Sequence, residues 1–341
     1  MKFLIFTDNH FCEKASIISR YGSKFSMRLE NQLASLNWLE QLAVDEGCDG
    51  VICAGDFFHK AELTDQELTA LREIKWNNLP HYFLVGNHES EEGNLQYSST
   101  KALEGENRQV IWEPTIFDLG NSELAFLPYT TEHDRKPLNE VFEPAKKPRV
   151  LISHNDICGL QYGPVVTKTG FAIPDIESNS SLCINGHLHN GQEVTKKLIN
   201  LGNLSGQDFG ENADVYKHRV MILDTNTLAY KYVENPYAFN FYKLDILEDA
   251  DLKKLTNLKQ NAVLSIKCLD SLVAKVREII DQYKNIIESR IIVVRPTFID
   301  GETALDAADL AMDHLGKFYE ICKEKIENTE ILEQELAEVL K

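Results

Sequence analysis

The sequence predicts an α/β protein with two sheets packed face to face and helices outside, an α/β/β/α sandwich, followed by a small α+β unit and C-terminal helices. Three observations carry this. Apolar, often β-branched runs recur through residues 1–235 and end in polar turn-forming segments. Stretches of helical periodicity alternate with these runs. The pattern then changes at Pro236, which marks a boundary.

Taken in order, Phe3-Leu4-Ile5-Phe6 opens onto Asp8-Asn9-His10, and Val51-Ile52-Cys53-Ala54 onto Gly55-Asp56-Phe57-Phe58-His59. Tyr82-Phe83-Leu84-Val85 opens onto Gly86-Asn87-His88-Glu89, Val150-Leu151-Ile152 onto Ser153-His154, and Leu182-Cys183-Ile184 onto Gly186-His187-Leu188-His189. Between them, helices are expected over 28–46, from its leucine spacing, and over 64–75, where Thr64 caps and Glu67 follows three residues on. Later strands are expected over 123–128, 197–201, 218–224 and 228–233. Beyond Pro236, strands over 241–247, 262–269 and 290–294 surround a helix over 272–287, a unit close to the lower size limit for independent folding. Residues 303–341 form an acidic helical pattern, read either as a packed helix or as one that docks a partner.

Composition narrows the class. A length of 341 residues suggests about two domains, and 43% apolar residues is ordinary for a globular protein. The N-terminus runs directly into a strand and no apolar run is long enough to span a bilayer, so a cytoplasmic protein without membrane association is expected. Seven cysteines without a C-x-x-C pair read as reduced thiols; Cys12 adjoins the proposed site, with zinc coordination by it the weaker reading. The net charge of −18 counts against a nucleic-acid partner, but residues 300–341 alone hold 12 acidic residues against 4 lysines. Bound cations would neutralise further carboxylates and attract phosphate.

Taken singly, each strand-end segment reads as easily as a turn, since Asp and Asn bond their own backbone, and any one histidine as a satisfied polar residue. Together they point elsewhere. Of ten histidines, His10, His59, His88, His154, His187 and His189 fall within these segments and His81 lies beside one. Carboxylate, imidazole and amide groups gathered on one rim suit two divalent cations of the Mn, Fe or Zn kind. Asp56, in the middle segment, is the candidate bridging ligand; Asp8, His10 and His189 complete one ion, and Asn87, His154 and His187 the other. Such a pair activates water and stabilises the attacking and leaving oxygens of an in-line displacement at phosphorus. His88, next to a proposed ligand but on a turn, is the candidate general acid, because an imidazole ordinarily titrates near neutrality. Its structural alternative is a hydrogen bond to Glu89 or Glu91.

The ordered set D-x-H, G-D-x-x-H, G-N-H-E, a lone His and G-H-x-H resembles the calcineurin-like metallophosphoesterases. Gly55-Asp56-Phe57-Phe58-His59 further resembles the nuclease branch represented by SbcD and the eukaryotic Mre-type double-strand-break nuclease, where this motif's histidine, here His59, helps position the phosphodiester. A protein phosphatase would want an Arg-Gly pair after the Asp, and Lys60-Ala61-Glu62 does not supply it. The segment from Leu201 to Glu211 is similar to that family's Gly-Ser-Leu stretch and acidic turn, with Asn203 where Ser is usual. The resemblance covers about residues 1–235, and 236–299 is placed like the family's DNA-capping domain.

This resemblance implies an Mn-dependent exonuclease or endonuclease acting on DNA ends in repair, recombination or genome degradation. It further implies homodimerisation through helices of the nuclease domain and an SbcC-type SMC-like ATPase gripped by 300–341. The compact length is similar to phage-encoded members, for which the compartment is the host cytoplasm. Lys14, Arg20, Lys24 and Arg28, after the first motif, are the candidate DNA contacts, with Lys146, Lys147 and Arg149 a second basic group. The alternative function is a small-molecule phosphodiesterase or phosphatase on the same dinuclear site; a non-cleaving scaffold fits less well, since every ligand position is filled.

Overall fold

The computed structural model describes residues 1–13, 22–91, 94–162, 165–211 and 213–295. The chain divides into two compact units, 1–268 with 272–292, and 269–271 with 293–341. The second lies almost entirely outside the described residues, and with it the acidic segment 300–341.

In the first unit, one six-stranded sheet runs in spatial order Tyr230–Glu234, Arg219–Asp224, Lys2–Phe6, Gly50–Cys53, His81–Leu84, Arg108–Ile111. Its last four strands are mutually parallel, and Arg219–Asp224 lies antiparallel to Lys2–Phe6. The other six-stranded sheet runs Gln192–Glu193, Leu198–Asn200, Leu182–Asn185, Arg149–Ser153, Glu123–Leu127, Thr115–Asp118, with a parallel centre and antiparallel edges. Parallel strands buried on both faces explain the continuous apolar runs.

Side-chain alternation sorts those runs into layers. Phe3, Ile5, Ile52 and Leu84 meet Leu124, Phe126, Val150, Ile152 and Ile184 of the other sheet in the central core. The opposite-facing Leu4, Phe6, Val51 and Phe83 pack on Leu29, Leu33, Leu36 and Leu39 of the helix Met27–Asp45. Burying each such leucine stabilises by roughly 1.5–3 kcal/mol. Behind the second sheet, Ala125, Leu151 and Cys183 pack on Leu138 and Ile176 of the helices Leu138–Val141 and Ile173–Asn179. The result is the expected α/β/β/α sandwich.

Local signals account for the helix ends. Ser26 accepts from the Leu29 N–H, and Gly47, in left-handed backbone, follows the C-terminus of Met27–Asp45. Thr64 and Glu67 form a reciprocal capping box at the helix Asp65–Leu71, which is shorter than the expected 64–75. After Pro236, Asn240–Ile246, Ala262–Leu269 and Ile286–Val294 form a three-stranded sheet with Ala262–Leu269 central. The helix expected over 272–287 stops at Gln282, because the β-branched Ile286-Ile287 pair already belongs to the last strand. Phe239, Phe241 and Val263 join Phe209 in one apolar cluster against which Met27 packs, so 236–292 shares a core with the preceding residues. Among the described residues no helix is long and apolar enough to cross a membrane, and six cysteines are free of disulfides.

Candidate metal centre

All five motif segments emerge at the C-terminal ends of parallel strands, the rim where such sheets gather their functional groups. Their backbone is unusual. Six non-glycine residues among those described have left-handed φ, and four are Asp8 (51°), His10 (47°), Asp56 (50°) and His187 (75°). Each such conformation costs roughly 1–3 kcal/mol and persists only where surrounding packing over-determines it. Glycine keeps the segments close. A Cβ on Gly86 would stand 2.1 Å from Asp56 Oδ1, and one on Gly55, itself at φ 103°, 2.2 Å from His154 Nδ1.

Two groups of ligand atoms result, Asp8 with His10 and His189, and Asp56 with His154 and His187. Asp56 Oδ2 lies 3.1 Å from His154 Nε2 and 3.8 Å from His10 Nε2, between the groups. Asp8 Oδ1 lies 3.9 Å from His10 Nε2 and 4.0 Å from His189 Nε2. The remaining carboxylate oxygens are held by protein donors. Asp8 Oδ2 accepts from Thr7 Oγ1 (2.7 Å) and the His187 N–H (3.1 Å), and Asp56 Oδ1 from the His88 N–H (3.1 Å).

The hydrogen bonds of the imidazoles select their tautomers. His154 Nδ1 lies 2.8 Å from the Ala54 carbonyl, which can only accept, so Nδ1 carries the proton and a neutral ring turns its Nε2 lone pair to Asp56. His189 Nδ1 donates to Glu211 (2.8 Å), and its Nε2 stands 3.0 Å from His10 Nε2. His187 Nε2 donates to Asp156 (3.1 Å), placing its Nδ1 lone pair 2.9 Å from Asn87 Oδ1. With neutral rings, lone pairs would face lone pairs across the site. Asp8 Oδ1 is fully buried without a hydrogen-bond partner, the kind of orphan a bound cation satisfies. The donor set fits two divalent cations; Asp8, His10 and His189 with Asp56 would hold one, and Asp56, His154 and His187 with Asn87 the other.

The surroundings tune these groups. Burial would raise the Asp56 carboxyl, but the His154 and His10 imidazoles hold it well below the ordinary carboxylate range. Burial and the neighbouring Asp56 charge push Glu89 up to about 7. Glu89 is fully buried and accepts from the Phe58 N–H (3.0 Å) and Gly86 N–H (2.8 Å), tying the second segment to the third. Burial also lowers His10 well below its usual value, the Asp56 charge opposing.

For His154 burial disfavours the charged ring, yet the Asp56 and Asp8 carboxylates raise it to about 10. In cation-free protein a proton therefore sits on this ring at neutral pH, and a cation must displace it. A histidine so raised stabilises the fold fully below its unfolded value of about 6.5 and loses that contribution as pH climbs through the folded value. Cation binding takes over the proton's role, so its stabilising effect grows with pH. The rise in Tm on adding a divalent cation should be larger at about pH 8 than at about pH 6; an equal or smaller rise would contradict the proton exchange.

Sequence reasoning did not assign Asp156 or Glu211. Glu211 fixes His189 and also accepts from Asn203 Nδ2 (2.9 and 3.0 Å), and the Oδ1 of the same amide meets His218 Nδ1 (2.9 Å). Such supporting partners are typically worth about 10–100-fold in metal affinity. Glu211→Ala should weaken cation binding by about that factor in a titration, and unchanged affinity would remove its orienting role.

His59 and His88, both exposed, form a third imidazole group with His10. Their rings stack (centroids 5.3 Å, 26°), and His88 Nδ1 lies 3.1 Å from the His59 carbonyl rather than on Glu89 or Glu91. His59 Nδ1 lies 3.2 Å from His10 Nδ1. This group lacks a carboxylate, and its three Nδ1 atoms are already engaged.

Other expectations fare differently. His81 is not at the rim: it begins its strand at the opposite end, buried against Glu40 (3.0 Å). Arg28 is not a surface DNA contact; it is buried, with Nε donating to Cys12 Sγ (3.3 Å) and its guanidinium bonded to Gln207. Lys24 pairs with Glu73 (2.6 Å), and Lys14 and Arg20 lie outside the described residues. In the second basic group Arg149 is buried on Glu123 (2.8 Å) and Lys147 pairs with Asp118 (2.5 Å). No cysteine enters the ligand groups found among the described residues.

A comparison with family profiles matches residues 1–212 to the calcineurin-like phosphoesterases. No curated protein sequence matches. Among solved structures, similarity extends to TT1561 of Thermus thermophilus (13% identity, TM-score 0.42, covering 68% of this chain and 98% of that one). A dimetal phosphatase from Danio rerio is similar at 12% identity and TM-score 0.39, covering 69% and 98%. The calcineurin-like phosphoesterase YfkN of Bacillus subtilis is similar at 11% identity and TM-score 0.36, covering 69% and 88%. The chain belongs to the calcineurin-like phosphoesterase family, metal-dependent hydrolases that cleave phosphoesters at a dinuclear site.

Proposed function

We propose that this phosphoesterase is a DNA nuclease subunit of the SbcD and Mre type, cleaving phosphodiesters at DNA ends with two Mn ions. The observation that carries the reading is the exposed imidazole pair beside the ligand groups: His59 against His10 Nδ1 at 3.2 Å and His88 stacked upon His59. When bound, the cations supply the positive charge that acidifies a water and stabilises charge building on the phosphoryl oxygens. With His10 ligating through Nε2, its Nδ1–H donates to His59 Nδ1, and His59 then carries its proton on Nε2, where it can hold a phosphate oxygen. His88, its Nδ1–H given to the His59 carbonyl, can as an imidazolium protonate the departing ester oxygen from Nε2. Water adds to phosphorus and gives up a proton to solvent, the P–O ester bond breaks, and the alkoxide takes the His88 Nε2 proton, yielding an alcohol and a phosphate monoester; the ring is reprotonated from solvent for the next turnover.

A homodimer formed through nuclease-domain helices and an SMC-like ATPase of the SbcC type docked on 300–341 belong to the same proposal. Release of labelled nucleotides from linear duplex DNA in Mn²⁺, beside a chromogenic phosphodiester, tests it. DNA cleavage by the purified protein, or on adding the ATPase, supports the nuclease reading. Turnover of the small diester alone under both conditions would replace it with a small-molecule phosphodiesterase.

A further inference from the structure

We infer that a pocket flanking the second ligand group binds the nucleobase next to the scissile phosphodiester. The inference rests on the nuclease reading and adds to it the group that the site recognises. The pocket, about 350 Å³, is lined by the partly exposed aromatics Trp112 and Tyr129 and by Phe171, a core residue covered by the Arg135 guanidinium, with Thr130, Asp134 and Lys136 among its polar groups. That volume lies at the small end of ligand sites, roughly 300–1,000 Å³, and suits one planar ring system.

Its walls are tied to the metal centre. The Tyr129 ring lies 5.9 Å from the His187 ring, and the Tyr129 N–H donates to the Val85 carbonyl (3.1 Å), two residues before Asn87. The Phe171 N–H donates to the carbonyl of Asp156 (2.9 Å), whose carboxylate fixes His187. Both walls are thereby tied to the imidazole that would hold the second ion, and a phosphoester bound there would have its organic substituent near the pocket. Aromatic faces stack on any base, while a hydroxyl, a carboxylate and an ammonium meet acceptors and donors on a base edge.

The test uses inhibition of chromogenic diester hydrolysis by the Mn-loaded full-length protein, so it reads the pocket whether or not DNA is cleaved. Deoxyadenosine 5′-monophosphate should inhibit about tenfold more strongly than deoxyribose 5-phosphate, the factor expected for one stacked base. Trp112→Ala should erase most of that difference while the Ki of deoxyribose 5-phosphate stays unchanged. Equal inhibition by the two compounds on the wild type, which needs no variant to fold, would overturn the inference. So would a Trp112→Ala protein that still binds deoxyadenosine 5′-monophosphate about tenfold more strongly than deoxyribose 5-phosphate. Failure to cut DNA with base discrimination intact would instead count against the nuclease reading alone.

Discussion

Asp56→Asn should cut hydrolysis of any phosphodiester by about a thousandfold and reduce bound cations below two per chain. Asp56 Oδ2 stands between the ligand groups, 3.1 Å from His154 Nε2 and 3.8 Å from His10 Nε2. Asparagine keeps the volume and retains an oxygen for the His88 N–H, but removes the charge. Charge stabilisation by a metal pair is worth several kcal/mol, and each 1.4 kcal/mol or so is tenfold in rate. The substitution also changes acid sensitivity. A carboxylate held below its unfolded value contributes stability that is present above about pH 3.9 and lost as pH falls toward the folded value. Cation-free wild type should therefore lose stability on acidification below that point more steeply than Asp56→Asn does. Metal analysis and turnover decide the matter: a variant with two ions and activity within about tenfold of wild type would exclude the bridging role.

How far the site could be read beforehand depended on the range of the interaction. Each motif segment is local: a buried strand, a turn and a polar group within a few residues, which is why the sequence could single out Asp8, His10, Asp56, Asn87, His154, His187 and His189, which the structure gathers on one rim. The partners that aim them are not local. Glu211 is 22 residues from His189 and Asp156 is 31 from His187, pairings made by the meeting of separate strand ends. Asp156 did carry a faint signal, lying two residues after His154 at the same strand end. Charge counting misled at Arg28, because a basic residue in a loop-to-helix junction looks solvent-facing until Cys12 and Gln207 are folded against it. The sandwich itself was legible from unbroken apolar runs. The edge strands Arg108–Ile111 and Thr115–Asp118, half-exposed and mixed in polarity, lacked that pattern.

His88→Ala should slow DNA cleavage by about a hundredfold or more, the usual contribution of a positioned acid, with cation content unchanged. A general acid matters in proportion to the basicity of the group that leaves. The alkoxide of a nucleoside must be protonated as the P–O bond breaks, whereas nitrophenolate departs without help. The same variant should therefore lose less than about tenfold on a nitrophenyl diester. This split distinguishes three roles that the geometry brings close together. If His88 were a third-ion ligand with His10 and His59, the variant would lose a cation and both activities. If it served only to seat the phosphate, both substrates would suffer alike, through KM. A large loss confined to the poor leaving group leaves proton donation from Nε2, whose orientation the His59 carbonyl maintains through Nδ1 at 3.1 Å.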